Sequence, residues 1–465
     1  MSAPDDPPSP TLAAATGKLD PASAAGAVRG AIPATLRQPG ALGFWLAALL
    51  TGVGAGVAAI GLTLLLETVQ HFMWPGPGTL VDAATSASAA RHILVLLGAG
   101  LLTGAGQLIL VRLSSGNSID ITEAISFTAG RLPALRTLGS ATLSVILVGM
   151  GAALGREGAP KQAGAVIANA LSDRAGLSDE QRRLLVACGA GAGMAAAYGV
   201  PLGGALFALE VLRGVLALRL VLPALLACLV AAGISWLALP DAPTYVIPSY
   251  PSSVSIVVWA LLAGPIAGLV SVGFVRAIAF ADRKKPKGWR RLLAPIVALG
   301  LLGLASIPFP ELLGNGKDIA ELAFTAHAAP ALLLALLALR PAATILCVGS
   351  GVPGGLFTPT LALGAILGGV LGAAWSWFWP GTPPGLFAVI GAAAMLAATT
   401  QGPISAVVLM MELTGRDRSF IVPLLLAVAA ATLVARTIEP RSIYDARLTD
   451  AQVAARLKSR EPSPI

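Results

Sequence analysis

The sequence predicts an all-α membrane protein of two related halves, built partly from broken and half-spanning helices. Three observations carry that expectation. The chain has 465 residues, 56% hydrophobic and only 12% charged, with a mean hydropathy of +0.81, whereas soluble domains carry about a quarter charged residues. Its 53 glycines and 34 prolines cut the apolar sequence into short pieces and permit close helix approach. Finally, a series of glycine–proline breaks in the first half recurs in the second.

Residues 1–40 are rich in Pro, Ala, Ser and Asp and lack a central apolar run. They read as a mobile cytoplasmic tail rather than a cleavable signal peptide. The membrane part follows over 41–445, with a first repeat over about 41–240 and a second over about 255–440. Runs at 42–65, 92–111, 215–239 and 256–279 are long enough to span, and 421–434 is marginal. The pieces 184–197, 202–212, 356–371, 386–398 and 404–413 are mostly too short to cross about 30 Å of hydrocarbon as untilted helices. These read as half-helices. Irregular backbone at that depth survives only where protein or a water-filled cavity covers it, as in channels and transporters with sites near the midplane. Residues 446–465 form a short charged cytoplasmic tail with no room for a regulatory domain.

The net charge is +8. In a soluble protein that would raise nucleic-acid binding, but here solvated basic loops account for it. The loop 283–291, with Arg283, Lys284, Lys285, Lys287, Arg290 and Arg291, is placed in the cytoplasm by the positive-inside bias, as are Arg131, Arg136 and the C-terminal residues Arg441, Arg447, Arg456, Lys458 and Arg460. Cys188, Cys228 and Cys347 lie in apolar segments and read as small buried thiols. His71, His92 and His327 are scattered without metal-ligand spacing, and no His-Glu-x-x-His is present. No metal or cofactor is expected. A serine hydrolase using Ser115 or Ser350 lacks a histidine base in those loops.

The most informative stretch is Gly155-Arg156-Glu157-Gly158-Ala159-Pro160. A carboxylate at membrane depth costs roughly 2.5–3.5 kcal/mol even on lenient scales, so it lines an ion path or has a close partner. The flanking glycine and proline mark a helix start. Helix starts attract anions, because their first N–H groups lack intrahelical partners and carry the positive end of the dipole. Glu157 therefore sits where a permeant anion would sit, or it merely complements the dipole of its own helix beside Arg156. Breaks follow at Gly199-Val200-Pro201, at Gly351-Val352-Pro353-Gly354-Gly355-Leu356-Phe357-Thr358-Pro359 and at Gln401-Gly402-Pro403. Residues alone leave open whether the two halves are inverted.

Gly155-Arg156-Glu157-Gly158-x-Pro160, Gly351-x-Pro353-Gly354-Gly355-Leu356-Phe357-x-Pro359 and the later Tyr444 together resemble the CLC chloride channel and transporter family. The similarity covers most of residues 40–447, including Gly191-Ala192-Gly193 and Met411-Glu412-Leu413-Thr414. It implies a CLC-like fold of two inverted repeats, a homodimer in a lipid bilayer at the inner (plasma) membrane, and transport of chloride or related small anions. Glu157 would be the gate, competing with anion when ionised and swinging away when protonated. Anion contacts would come from Ser115, Gly116, Arg156, Gly158, Gly355, Leu356, Phe357 and the hydroxyl of Tyr444.

Two departures stand out. The family's Gly-Ser-Gly-Ile-Pro falls near Ser114-Ser115-Gly116-Asn117-Ser118, where Ser114 or Ser118 could replace Ser115 as the hydroxyl donor. The family's exchangers carry an inner Glu-Glu pair, and here Glu210 is followed by Val211. Valine carries no proton, so the sequence puts a passive channel first and a chloride–proton exchanger second, with water or Glu210 as substitute carriers. Asp120 and Glu123 are expected to cap or line the helix after the serine loop, and Glu412 to hold neighbouring backbone amides in a break.

Overall fold

The computed structural model describes residues 41–113, 120–251, 253–415, 420–445 and 448–460. The expected N-terminal tail, the serine loop with Ser114, Ser115, Gly116 and Ser118, Arg447 and the last five residues lie outside the described residues. The first half comprises α1 (Ala41–Met73), α2 (Leu80–Thr85), α3 (Ala89–Leu113), α4 (Ile121–Phe127), α5 (Ala134–Gly149), α6 (Gly158–Arg174), α7 (Asp179–Tyr198), α8 (Pro201–Leu206), a π-helical turn (Phe207–Arg213) and α9 (Leu218–Ser235). The second comprises α10 (Val254–Arg283), α11 (Arg290–Ala305), α12 (Lys317–Phe324), α13 (Pro330–Ser350), α14 (Phe357–Ser376), α15 (Pro384–Thr400), α16 (Pro403–Thr414) and α17 (Ile421–Ile438), and α18 (Asp450–Arg460) follows. No strand occurs among the described residues beyond one antiparallel bridge between Gly155 and Gly355.

By length and composition, α1, α3, α10, α13, α14 and α17 can cross a membrane. Three elements differ from expectation. The run at 215–239 begins in an irregular link after Gly214, whose φ is 74°, so its helix α9 has 18 residues. Helix α14, expected as a half-helix, continues to Ser376 over 20 residues. Helix α13 went unmarked because Arg340 and Pro341 interrupt its apolar run. There Arg340 is buried and donates to the carbonyls of Leu312 at 2.6 Å and Gly314 at 2.7 Å, which engages both terminal nitrogens of its guanidinium.

Glycine spacing explains how the halves pack. A Cβ on Gly52 or Gly56 of α1 would come within 2.7 and 2.8 Å of the carbonyls of Ala227 and Ala231 on α9. In the second half Gly264 and Gly268 of α10 meet Ala427 and Ala431 of α17 in the same manner, at 2.8 and 2.6 Å. Likewise Gly164 faces Gly189 where α6 crosses α7, as Gly364 faces Gly391 where α14 crosses α15. Without a hydrophobic driving force in lipid, such close backbone packing carries helix association. The repetition is therefore in the contacts as well as in the sequence.

The halves are joined head to tail. Glu210, at the end of the first half's broken helix, accepts from the backbone of Ile404 at 3.2 Å and Ser405 at 2.6 Å, the start of α16. Glu412, at the end of α16, accepts from Leu202 at 3.0 Å and Gly203 at 2.6 Å, the start of α8. Each carboxylate fills orphan amides on the other half's helix, which requires the two to run antiparallel. The inverted arrangement is thus visible in two reciprocal caps.

Candidate functional site

Helices α6 and α14 both begin without a side-chain cap of their own. Their starts are clamped together instead. Gly155 N–H donates to Gly355 O and Gly355 N–H to Gly155 O, both at 2.8 Å. The Glu157 carboxylate does not fold back on its own helix, which removes the reading as a simple dipole complement. It crosses to the other half, where Oε1 accepts from the backbone N–H of Phe357 at 2.6 Å and Oε2 from the Thr358 hydroxyl at 3.1 Å. Glu157 is fully buried, at 0% exposure. A Cβ at Gly155 or Gly355 would overlap its carboxylate oxygens, so glycine on both sides is what makes room for the group.

Below this plug lies a cavity of about 460 Å³. Gly158, Gly355, Leu356 and Tyr444 all line it, together with Arg136 of α5, Lys285 of the link between α10 and α11, and Arg291 of α11. Glu157 itself is not part of the lining. The geometry is a chamber bordered by Gly158 and Gly355, the glycines that also flank a buried carboxylate seated on a helix N-terminus.

The structure brings most of the expected residues together, with differences in role. Phe357 contributes its backbone N–H to Glu157, while its ring is buried against Tyr198 at 6.3 Å between centroids. The N–H of Gly355 is engaged by Gly155, so in this state it is a bracing group rather than an open anion donor. Arg156 lies over the Tyr198 ring, 4.9 Å from its centroid, and Tyr198 in turn shares a 3.0 Å hydrogen bond with Thr358. Arg156 therefore braces the side chain that braces the carboxylate. Ser115 and Gly116 lie outside the described residues.

The expected proton position also takes shape. Val211 is buried in the π-helical turn, with its side chain against Gly402. Its carbonyl and that of Leu212 each accept from Arg456 of α18 at 3.0 Å. Glu210 is committed to the start of α16, and the Ser405 hydroxyl donates to it as well, at 2.6 Å. That geometry is a cap for the start of α16. Asp120 caps α4 by accepting from Glu123 N–H at 3.0 Å, as expected.

Sequence reasoning missed two residues. Thr358, inside the motif, holds the second carboxylate oxygen. Lys161, one turn beyond Glu157, is buried and places Nζ 3.3 Å from the Tyr444 hydroxyl. A lysine just before the apolar run 163–168 was the signal that could have found it.

A helix start donating to a carboxylate buried within an apolar helical bundle defines a class: membrane proteins that handle anions in their interior. The voltage gated chloride channel family matches residues 99–436. The voltage-gated ClC-type chloride channel ClcB of Escherichia coli O157:H7 (strain EC4115 / EHEC) is 33% identical over 417 residues, covering 86% of this chain and 97% of the relative. Among solved structures, a slow cyanobacterial Cl-/H+ antiporter superposes with a TM-score of 0.74 at 22% identity, over 91% of this chain and 100% of that one. A CLC-type fluoride/proton antiporter gives 0.71 at 24% identity, over 87% and 97%. The chain belongs to the CLC family of voltage-gated chloride channels and transporters, and it is a membrane anion transport protein rather than an enzyme.

Proposed function

We propose that this protein exchanges chloride, or a related small anion, for protons across the bacterial inner membrane, with Glu157 as the gate. The observation that carries this is the Glu157 carboxylate, fully buried and held by the Phe357 N–H and the Thr358 hydroxyl at the start of α14. It occupies the place and satisfies the donors an anion would use. An anion passes only when the carboxylate leaves, and protonation weakens its hold on those donors, which couples the two movements. Two solved structures that share the fold are described as proton antiporters. The basic residues Arg136, Lys285 and Arg291 in the cavity's lining support a cytoplasmic opening and cytoplasmic termini. Exposed Leu202, Leu222, Leu229, Ile404, Val422 and Leu425 on α8, α9, α16 and α17 offer apolar surface to lipid or to a second copy of the chain in a homodimer.

A passive channel is the second reading, favoured by Val211, which puts no carboxylate where an inner proton carrier would stand. Proteoliposomes with a chloride gradient separate the two. Exchange predicts that chloride leaving drives protons in the opposite direction, and that Glu157→Gln stops proton movement while chloride still flows. Chloride release without any proton movement in the unmodified protein would rule exchange out and leave the channel.

A further inference from the structure

Lys161 lies on α6, four residues beyond Glu157 and on the same face of the helix. Its backbone N–H donates to the Glu157 carbonyl at 3.4 Å. The side chain is 4% exposed and lines the same cavity as Tyr444 and Leu356. Nζ sits over two aromatic rings, 4.7 Å from the centroid of Tyr444 and 5.0 Å from that of Phe207. Aromatic faces attract an ammonium, so the two rings hold Nζ at the cavity wall. The other basic lining residues, Arg136, Lys285 and Arg291, are only partly buried. Asp120, Glu123 and Asp282 line the cavity too, so its charge is mixed and the position of each sign matters.

The hydrogen bond to Tyr444 sets a direction. An ammonium has only donors, so in the 3.3 Å contact the phenol oxygen accepts. The phenol's own proton is left to point elsewhere, and donation from a cation polarises that O–H into a stronger donor. The ammonium and the phenol thus stand side by side at the chamber wall, with Lys161 one helical turn along α6 from Glu157.

We propose that Lys161 is an anion-coordinating residue, forming with the Tyr444 hydroxyl an inner site for a small monovalent anion and setting its affinity. The site rests on the anion-transport reading above but adds a residue to it. It also gives the Glu157 carboxylate a cationic neighbour on the inward side when it leaves the start of α14.

The test is chloride binding to the full-length purified protein by titration calorimetry, beside chloride flux in proteoliposomes. Lys161→Met keeps the length and packing of the stem and removes the charge, and it should weaken chloride binding by at least about tenfold. The chloride concentration for half-maximal flux should rise in parallel. Lys161→Arg should restore most of the affinity, which a purely structural role would not explain. Chloride binding by Lys161→Met within about twofold of the unmodified protein overturns the proposal. Should that variant fail to fold, bromide soaked into crystals of the unmodified protein decides. Anomalous density in contact with both Lys161 Nζ and the Tyr444 hydroxyl supports the site, and density confined elsewhere in the cavity overturns it. Absence of flux from the unmodified protein would instead sink the transport reading, while the binding comparison still judges Lys161.

Discussion

The cradle around Glu157 makes a single methyl group a test of the gate. Gly355 is outside the positive-φ glycines, so alanine is compatible with its backbone. Its new Cβ would nevertheless overlap Glu157 Oε1 and lie 3.0 Å from the backbone nitrogen of Gly158. The backbone cannot yield easily, because Gly355 is tied to Gly155 by two hydrogen bonds of 2.8 Å. The carboxylate must therefore move, giving up the 2.6 Å bond from Phe357 N–H and straining the 3.1 Å bond from Thr358. A hydrogen bond to a charged group contributes about 1.5–3 kcal/mol, so the seated state of the gate should lose about tenfold to a hundredfold in population. Chloride efflux from proteoliposomes, measured from neutral to acidic pH, reads this directly. Gly355→Ala should conduct at neutral pH nearly as well as at acidic pH, with Gly43→Ala, whose Cβ meets nothing within 4 Å, as the inert control. Gly355→Ala with unmodified flux and unmodified pH dependence would refute the idea that the seated carboxylate is what closes the path.

Four further outcomes are expected. Glu210→Ala and Glu412→Ala each strip two backbone amides of their acceptor, so each should lower stability by about 1–3 kcal/mol in thermal unfolding. Glu210→Gln should keep proton coupling at the level of the unmodified protein, whereas loss of coupling in a folded Glu210→Gln would make that residue a carrier after all. Gly164→Leu should abolish folded protein in size-exclusion profiles, because its side chain would drive α6 off Gly189 of α7. Outside the spans, burial opposes ionisation of Glu439, but Arg441 at 2.7 Å and Arg276 at 2.9 Å outweigh it and hold its carboxyl down to about 2. Because the folded value lies below the ordinary 4.5, the stabilisation is complete above that pH and is lost as pH falls toward about 2. With Arg276 55% exposed, the pair contributes only about 1–2 kcal/mol, and Glu439→Gln should flatten this acid limb of the melting curve.

Much of the architecture was legible because lipid leaves few options. Unsatisfied backbone is costly in hydrocarbon, so short apolar pieces cut by Gly and Pro had to be half-helices covered by protein. The helix starts at Gly158, Pro201, Phe357 and Pro403 fell where their glycine and proline signals put them. Length judgements were weaker, as α9, α13 and α14 show, because Arg340 and Pro341 interrupt an apolar window that tertiary hydrogen bonds make tolerable. The site was legible as a list of residues and less so as roles. Glu157 stood out by chemistry, yet that it reaches across to α14 instead of capping α6 depends on a partner two hundred residues away in sequence.

Composition and spacing alone determined that the chain is a bundle of apolar, frequently broken helices with an acidic group at one of the breaks. Burial in lipid and the geometry of helix termini act locally, within a few residues, so they can be read from a linear sequence. Tertiary structure alone decided which helix start the carboxylate occupies, that Glu210 and Glu412 are exchanged caps, and that Lys161 stands beside Tyr444. Those pairings join groups far apart along the chain, and only the folded backbone brings their donors and acceptors within hydrogen-bonding distance.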